Sequence, residues 1–176
     1  MYLYHYIAKG NHVEDVGILS FAFNSKADLS YYHKRSGETT HQGIVNWMEN
    51  CFSGRSRGVR CFSEPIQWTD KSLSLKTFTE NADLYAIDVK LLLQDGLLED
   101  IYVSPSVLDI PNVTQDNCLD EILIHLNTIN EIDMTPIDWT VCNDELSYRF
   151  AFVRYYLLII KGGIILPKYI KKINKD

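Results

Sequence analysis

Tyr2-Leu3-Tyr4-His5-Tyr6-Ile7, next to the first residue of the chain, is rich in aromatic and branched side chains, with His5 its one basic group. Aromatic and branched side chains suit a pleated, half-buried surface, so the segment reads as a strand ended by Gly10-Asn11. With a period of two, His5 lies on the face opposite Tyr4 and Tyr6. Three later segments carry the same signature: Val59-Arg60-Cys61-Phe62-Ser63, Ala82 to Val89, and Leu98 to Val103. Gly17-Ile18-Leu19-Ser20-Phe21 and Ile164-Ile165-Leu166 are shorter apolar runs beside glycines.

Helical signals lie between these strands. Asp28 to Arg35 reads as a helix stopped by Gly37, and Thr40 as the cap of a helix whose apolar face is Ile44, Trp47, Met48 and Cys51. Asp88 or a neighbour caps a turn from Lys90 to Gln94. Leu73, Leu75 and Phe78 mark a modest helix, and Asn117 heads one bearing Leu119, Ile122, Leu123 and Leu126. The strongest pattern predicts a long helix from Asp144 to Ile160, capped by Asn143 and stopped by Gly162-Gly163. No regular βαβ rhythm is present, so the expected fold is α+β: a mixed sheet flanked by helices, with that long helix near the C-terminus.

The 176 residues, 46% hydrophobic and 23% charged, suit a single domain spanning 1–176 with one core. The net charge of -6 is unevenly spread. Lys90 is the only Lys or Arg between Glu80 and Glu145, whereas the tail carries Lys168, Lys171, Lys172 and Lys175. An acidic middle argues against wrapping a nucleic-acid duplex, which needs Lys and Arg on its phosphates. Cys51, Cys61, Cys118 and Cys142 form no CxxC pair, so free thiols and a cytoplasmic location are expected, in the producing cell or in a host cell reached without a signal peptide. The longest apolar stretch, Tyr155 to Ile160, is far below the ~20 residues of a membrane helix.

Gly54-Arg55-Ser56-Arg57-Gly58-Val59-Arg60 is the segment with most chemical content. Two glycines permit positive φ and a concave row of backbone N–H groups, and three guanidiniums can fork onto phosphate oxygens. It is neither a Walker loop nor a dinucleotide fingerprint; the plain reading is an exposed basic turn paired with the acidic middle. His5 must hydrogen-bond wherever it is buried, structurally or in a cleft. Glu64, at a strand end beside Pro65, and Glu145, in a first helical turn, are the carboxylates to inspect. His33, His41 and Cys51 lack metal-ligand spacing, so no metal is expected. Cys61 with His5 or His125 reads more readily as a small hydrophobe than as a nucleophile.

Taken in order, Leu3-Tyr4-His5-Tyr6, Gly17-Ile18-Leu19-Ser20, Arg60-Cys61-Phe62-Ser63 and Leu84 to Val89 resemble the histidine-bearing branch of the ADP-ribosyltransferase fold, which includes DNA-targeting toxins. The resemblance covers about the first half of the chain. It implies NAD as the consumed cofactor, with His5 on a ribose hydroxyl, Tyr31 or Tyr32 stacked on nicotinamide, Arg60 near the diphosphate, and Arg55, Arg57 and Ser63 beside them. Glu145 and Glu64 would supply the catalytic carboxylate, and the acceptor would be a protein or a nucleic acid. No Glu-x-Glu or Ser-Thr-Ser motif accompanies these residues. The competing expectation is a non-enzymatic interaction module, an effector, inhibitor or defence component, whose acidic stretch, including Asp116, Asp120 and Glu121, steers a partner.

Overall fold

A computed structural model describes residues 2–63, 65, 80–103, 124–125 and 155–173. In chain order these residues form β1 (Tyr2–Ala8), α1 (Val13–Val16), β2 (Ile18–Leu19), α2 (Ser30–Ser36), α3 (His41–Cys51), β3 (Gly58–Phe62), β4 (Ala82–Asp88), α4 (Val89–Gln94), β5 (Leu98–Val103), β6 (Ile124–His125), β7 (Tyr155–Ile160), β8 (Ile164–Ile165) and β9 (Ile170–Ile173). Short 3-10 turns stand at Phe21–Phe23, Arg55–Arg57 and Pro167–Tyr169.

The described strands form a seven-stranded sheet in the order β6-β5-β7-β3-β1-β4-β9, with β2 and β8 as a separate ribbon. Every described pairing is antiparallel, which corrects the expected mixed sheet. The expected long helix is also overturned where its last residues are described, since Tyr155–Ile160 is the strand β7 between β3 and β5. Its six apolar residues carry no alternation because a central strand is covered on both faces, and such a run mimics a buried helix. Ile124–His125 is likewise a strand rather than part of a helix. The expected helix around Leu73, and residues 144–154 of the long one, lie outside the described residues.

Residues 117–123 of the helix expected after Asn117 also lie outside the described residues, whereas three local expectations are met. Thr40 Oγ1 accepts from Gly43 N–H at the start of α3. Asp88 Oδ1 accepts from Leu91 N–H at 3.0 Å and starts α4. Gly37 ends α2 at φ 74°, in the left-handed region.

Alternation divides the sheet residues between two faces. Leu3 and Ile7 of β1, Val59 and Cys61 of β3, Tyr85 and Ile87 of β4, and Tyr156, Leu158 and Ile160 of β7 face one way and form most of the main core. Val13 of α1, Val89 and Leu92 of α4, Ile165 and Tyr169 close over that core. Tyr6 and Leu84 head a smaller cluster on the other face, with Tyr4, Phe62 and Ile173 packed against it.

The seven strands are unevenly joined. β1 and β4 match over seven register pairs, from Tyr2↔Asp88 to Ala8↔Ala82. β3 and β7 match over five, from Gly58↔Ile159 to Phe62↔Tyr155. Among the described residues β1 and β3 meet at one pair alone, Tyr4↔Phe62. The β1–β3 seam is thus the most sparsely registered junction of the described sheet, with β4 and β9 beyond β1 and β7, β5 and β6 beyond β3.

Candidate functional site

His5 and Arg60 meet at that seam. His5 shares its face with Leu3 and Ile7, whereas Arg60 shares the opposite face with Gly58 and Phe62. The two side chains therefore leave the sheet on opposite sides. What joins them is the main chain: His5 Nδ1 lies 2.5 Å from the Arg60 carbonyl oxygen. A carbonyl only accepts, so Nδ1 carries the proton and Nε2 is the bare, accepting nitrogen of a neutral ring. Burial is the largest influence on this imidazole and pulls its pKa below the ordinary histidine value. The hydrogen bond to Arg60 works the other way, and the Arg60 charge adds to the lowering.

On the far side of β3, the Arg60 guanidinium lies 5.2 Å from the centroid of the Tyr32 ring. Tyr32 packs edge-on against Phe21 at 4.8 Å, and Phe21 stacks on His41 at the same distance. The His41 Nε2–H donates to the Phe21 carbonyl at 2.8 Å, pinning the start of α3 to the 3-10 turn. Two of the sequence-based candidates, Tyr32 and Arg60, thus lie together, with His5 at their back across the strand. Tyr31 is the neighbouring residue of α2, and Ser63 follows β3. Glu64 and Glu145 lie outside the described residues.

The glycine-bracketed turn is not an open phosphate cradle, and of the plain reading it keeps the pairing with the acidic middle, through Arg57 and Glu99, but not the exposure, since Arg55 and Ser56 are buried. The carboxylate of Glu49, in the last turn of α3, accepts from Gly54 N–H at 2.7 Å and from Ser56 N–H at 3.1 Å. Ser56 Oγ–H donates to the same carboxylate. The concave donors do hold an anion, and it is the chain's own. Burial raises the Glu49 pKa, but the hydrogen bonds from Ser56 and Gly54 and the charge of Arg57 outweigh it, so the net shift is downward.

The flanking arginines are engaged too. Arg57 pairs with Glu99 at 2.5 Å. Arg55 is only 5% exposed, its guanidinium 4.9 Å from the Trp47 ring centroid and 5.4 Å from that of Phe52. A buried arginine stacked on aromatic faces packs as a plane as much as it presents a charge. No sequence spacing announced Glu49; an acid in the final helical turn just ahead of a Gly-x-Ser turn was the signal that could have found it.

Two further acids of the described acidic run, Asp83 and Asp95, also find cations of the same chain. Asp83 holds Lys172 at 2.9 Å, and Glu14 approaches that lysine at 3.5 Å. Asp95 accepts from Lys168 at 2.9 Å and from the Tyr169 hydroxyl at 2.6 Å. Asp116, Asp120 and Glu121 are not among the described residues. Cys61 is buried, and desolvation pushes its thiol far above the ordinary value, so it is a packed hydrophobe and not a nucleophile. Among the described residues, no cluster of three His, Cys, Asp or Glu side chains is placed to hold a metal, and no helix is long and apolar enough to cross a membrane.

These elements define an α+β protein built on an antiparallel sheet, with His5 bridging two of its central strands. No protein-family model, curated protein or solved structure matches the chain.

Proposed function

We propose that the chain consumes NAD and transfers its ADP-ribosyl group to a macromolecular acceptor. The observation that carries the reading is the Arg60–Tyr32 pair, a cation beside an aromatic face, two groups that a diphosphate and a nicotinamide ring would use. On the opposite face of the sheet, His5 holds the Arg60 carbonyl through its Nδ1–H and so fixes β3 behind that pair. In the reaction the C–N glycosidic bond breaks, nicotinamide departs with the electron pair, and the sugar carbon gains positive character before the acceptor attacks. A carboxylate beside that carbon would stabilise the charge, the role for which Glu64 and Glu145 are the candidates. The Gly54–Arg57 turn is left out of this site, because Glu49 and Glu99 already occupy its donors.

Incubation with NAD and measurement of released nicotinamide tests the reading. Release by the wild-type chain that falls at least about a hundredfold in Arg60→Gln, the loss expected of one charge-stabilising group, supports it. Absence of both release and binding at millimolar NAD overturns it.

A second reading, a protein-interaction module, draws on a different observation. Val16, Leu19, Phe23 and Leu166 are 54, 38, 51 and 48% exposed. All four belong to or adjoin the β2–β8 ribbon: Val16 precedes it, Leu166 follows β8, and Phe23 abuts Gly163. Grouped exposed apolar side chains mark contact surfaces more often than scattered ones do. A partner captured by the wild type and lost by Val16→Ser with Leu19→Ser would favour this reading; identical capture by the two would end it.

A further inference from the structure

We propose that the Gly54–Arg57 turn is a phosphate site that the chain keeps closed with its own Glu49, and that a phosphate dianion opens it by taking the place of that carboxylate. The site is separate from the Arg60–Tyr32 pair and does not depend on the NAD reading.

The turn is built as an anion nest. Gly54 stands at φ 86° and ψ -7°, in the left-handed region, and a 3-10 turn of the usual hand follows at Arg55–Arg57. Such a change of hand turns nearby backbone N–H groups toward one concave side. A Cβ at Gly54 would stand 2.8 Å from Ile159 Cγ2 of β7 and 3.3 Å from Arg57 Nη2. Only glycine fits there, the floor rests on a central strand, and the Arg57 guanidinium lies against the nest. Arg55 is engaged elsewhere, over the Trp47 and Phe52 rings, so the charge that acts on Glu49 is that of Arg57.

Two features mark the carboxylate as an exchangeable occupant. The first is the count of donors. The two oxygens of Glu49 take Gly54 N–H, Ser56 N–H and the Ser56 hydroxyl, and Arg57 Nη2–H goes to Glu99. Arg57 Nε–H is buried and has no acceptor. A phosphate group offers three strong acceptor oxygens to the donors that two carboxylate oxygens leave incompletely met.

The second feature is position. Glu49 stands in the last turn of α3, which carries no basic residue, so its charge lies at the negative end of the helix dipole. The donors of the turn offset that repulsion, and a rival that takes them leaves the carboxylate better placed in water. Asn50 and Cys51 beside it are exposed, which gives the side chain a way out. A dianion brings twice the charge to the same donors and to Arg57. Against it stand Glu99 and the displaced Glu49, which keep the affinity of the wild-type site low.

An NMR titration of the backbone amides with inorganic phosphate tests the closed site. Gly54 and Ser56 should shift in the wild type. Glu49→Ala should bind at least about tenfold more tightly at the same amides, because a competitor making charge-assisted hydrogen bonds is gone. Adding Arg57→Gln to Glu49→Ala should return the affinity to near that of the wild type. Should Glu49→Ala fail to fold, Glu49→Gln keeps acceptors for the turn without the charge, and should show a smaller gain over the wild type. Adenosine monophosphate carries the same dianion: tighter binding than inorganic phosphate assigns the site to nucleotides, and equal affinity assigns it to the phosphate group alone. No shift at Gly54 and Ser56 in the wild type, equal affinity in the wild type and the Glu49 variants, or a gain that survives Arg57→Gln would each overturn it.

Discussion

Glu49 shows how one side chain can settle the use of a whole motif. Its carboxylate receives two backbone N–H groups and a hydroxyl from the turn after its own helix, a set of donors that would otherwise suit an external anion. Removing it leaves those donors unsatisfied in a part-buried place, at about 1–3 kcal/mol for the group. Glu49→Ala should therefore lower the unfolding free energy by about 2 kcal/mol in urea titrations, and Glu49→Gln by less, since the amide oxygen still accepts. The pH dependence has a definite sign. A carboxyl whose folded pKa is depressed stabilises the fold above its unfolded pKa, about 4.3, and this contribution fades as pH falls through the lower folded value. Wild type should lose stability below about pH 4.3 more steeply than Glu49→Gln, and parallel curves would remove Glu49 from this role. The glycines, serine and arginines of the turn were legible in the sequence. Their occupant was not, because contacts five and seven residues back along the chain fit no helix or strand period.

At the scale of elements, what could be read depended on whether one face of the element meets water. β1, β3, β4 and β5 alternate or carry aromatic and branched residues, and α3 and α4 begin at side-chain caps, so each was visible in the sequence. β7 was not, because Tyr155–Ile160 is apolar throughout and its periodicity is erased by cover on both faces. The antiparallel direction of the pairs was equally hidden, since alternation does not report which way a neighbour runs. The ribbon β2–β8 depends on one residue. Gly17 has φ 85° and ψ -170°, and a Cβ there would stand 2.2 Å from the Ile165 carbonyl oxygen. That backbone region is essentially glycine-only, with strain of about 1–3 kcal/mol before any clash is added. Gly17→Ala should accordingly cost at least about 3 kcal/mol, while Gly10→Ala, at φ 90° with open space around it, should cost only the strain of about 1–3 kcal/mol. Equal melting temperatures for the two variants would mean that the ribbon yields without loss and that its register is not set by Gly17.

At the scale of the molecule, the weak seam and the continuous core pull in opposite directions. The described ladders are thinnest between β1 and β3, and a chain held only by ladders would open there first. The core does not follow that division: Leu3, Tyr85 and Ile87 from one half pack in the same buried cluster as Val59, Cys61, Tyr156, Leu158 and Ile160 from the other. Burial of apolar surface outweighs what one missing stretch of ladder removes, at about 1.5–3 kcal/mol per large side chain against about 1 kcal/mol per hydrogen bond. The halves should therefore unfold together, with the seam opening as a smaller local event beneath the global one. Leu158→Ala is the discriminating variant, because Leu158 is fully buried on β7 while its cluster reaches β4. It should lower the exchange free energy of the slowest amides by about 2–5 kcal/mol, equally for Ile87 on β4 and Ile101 on β5. A drop confined to β5 and β7, with Ile87 unchanged, would show that the seam separates two independently stable units.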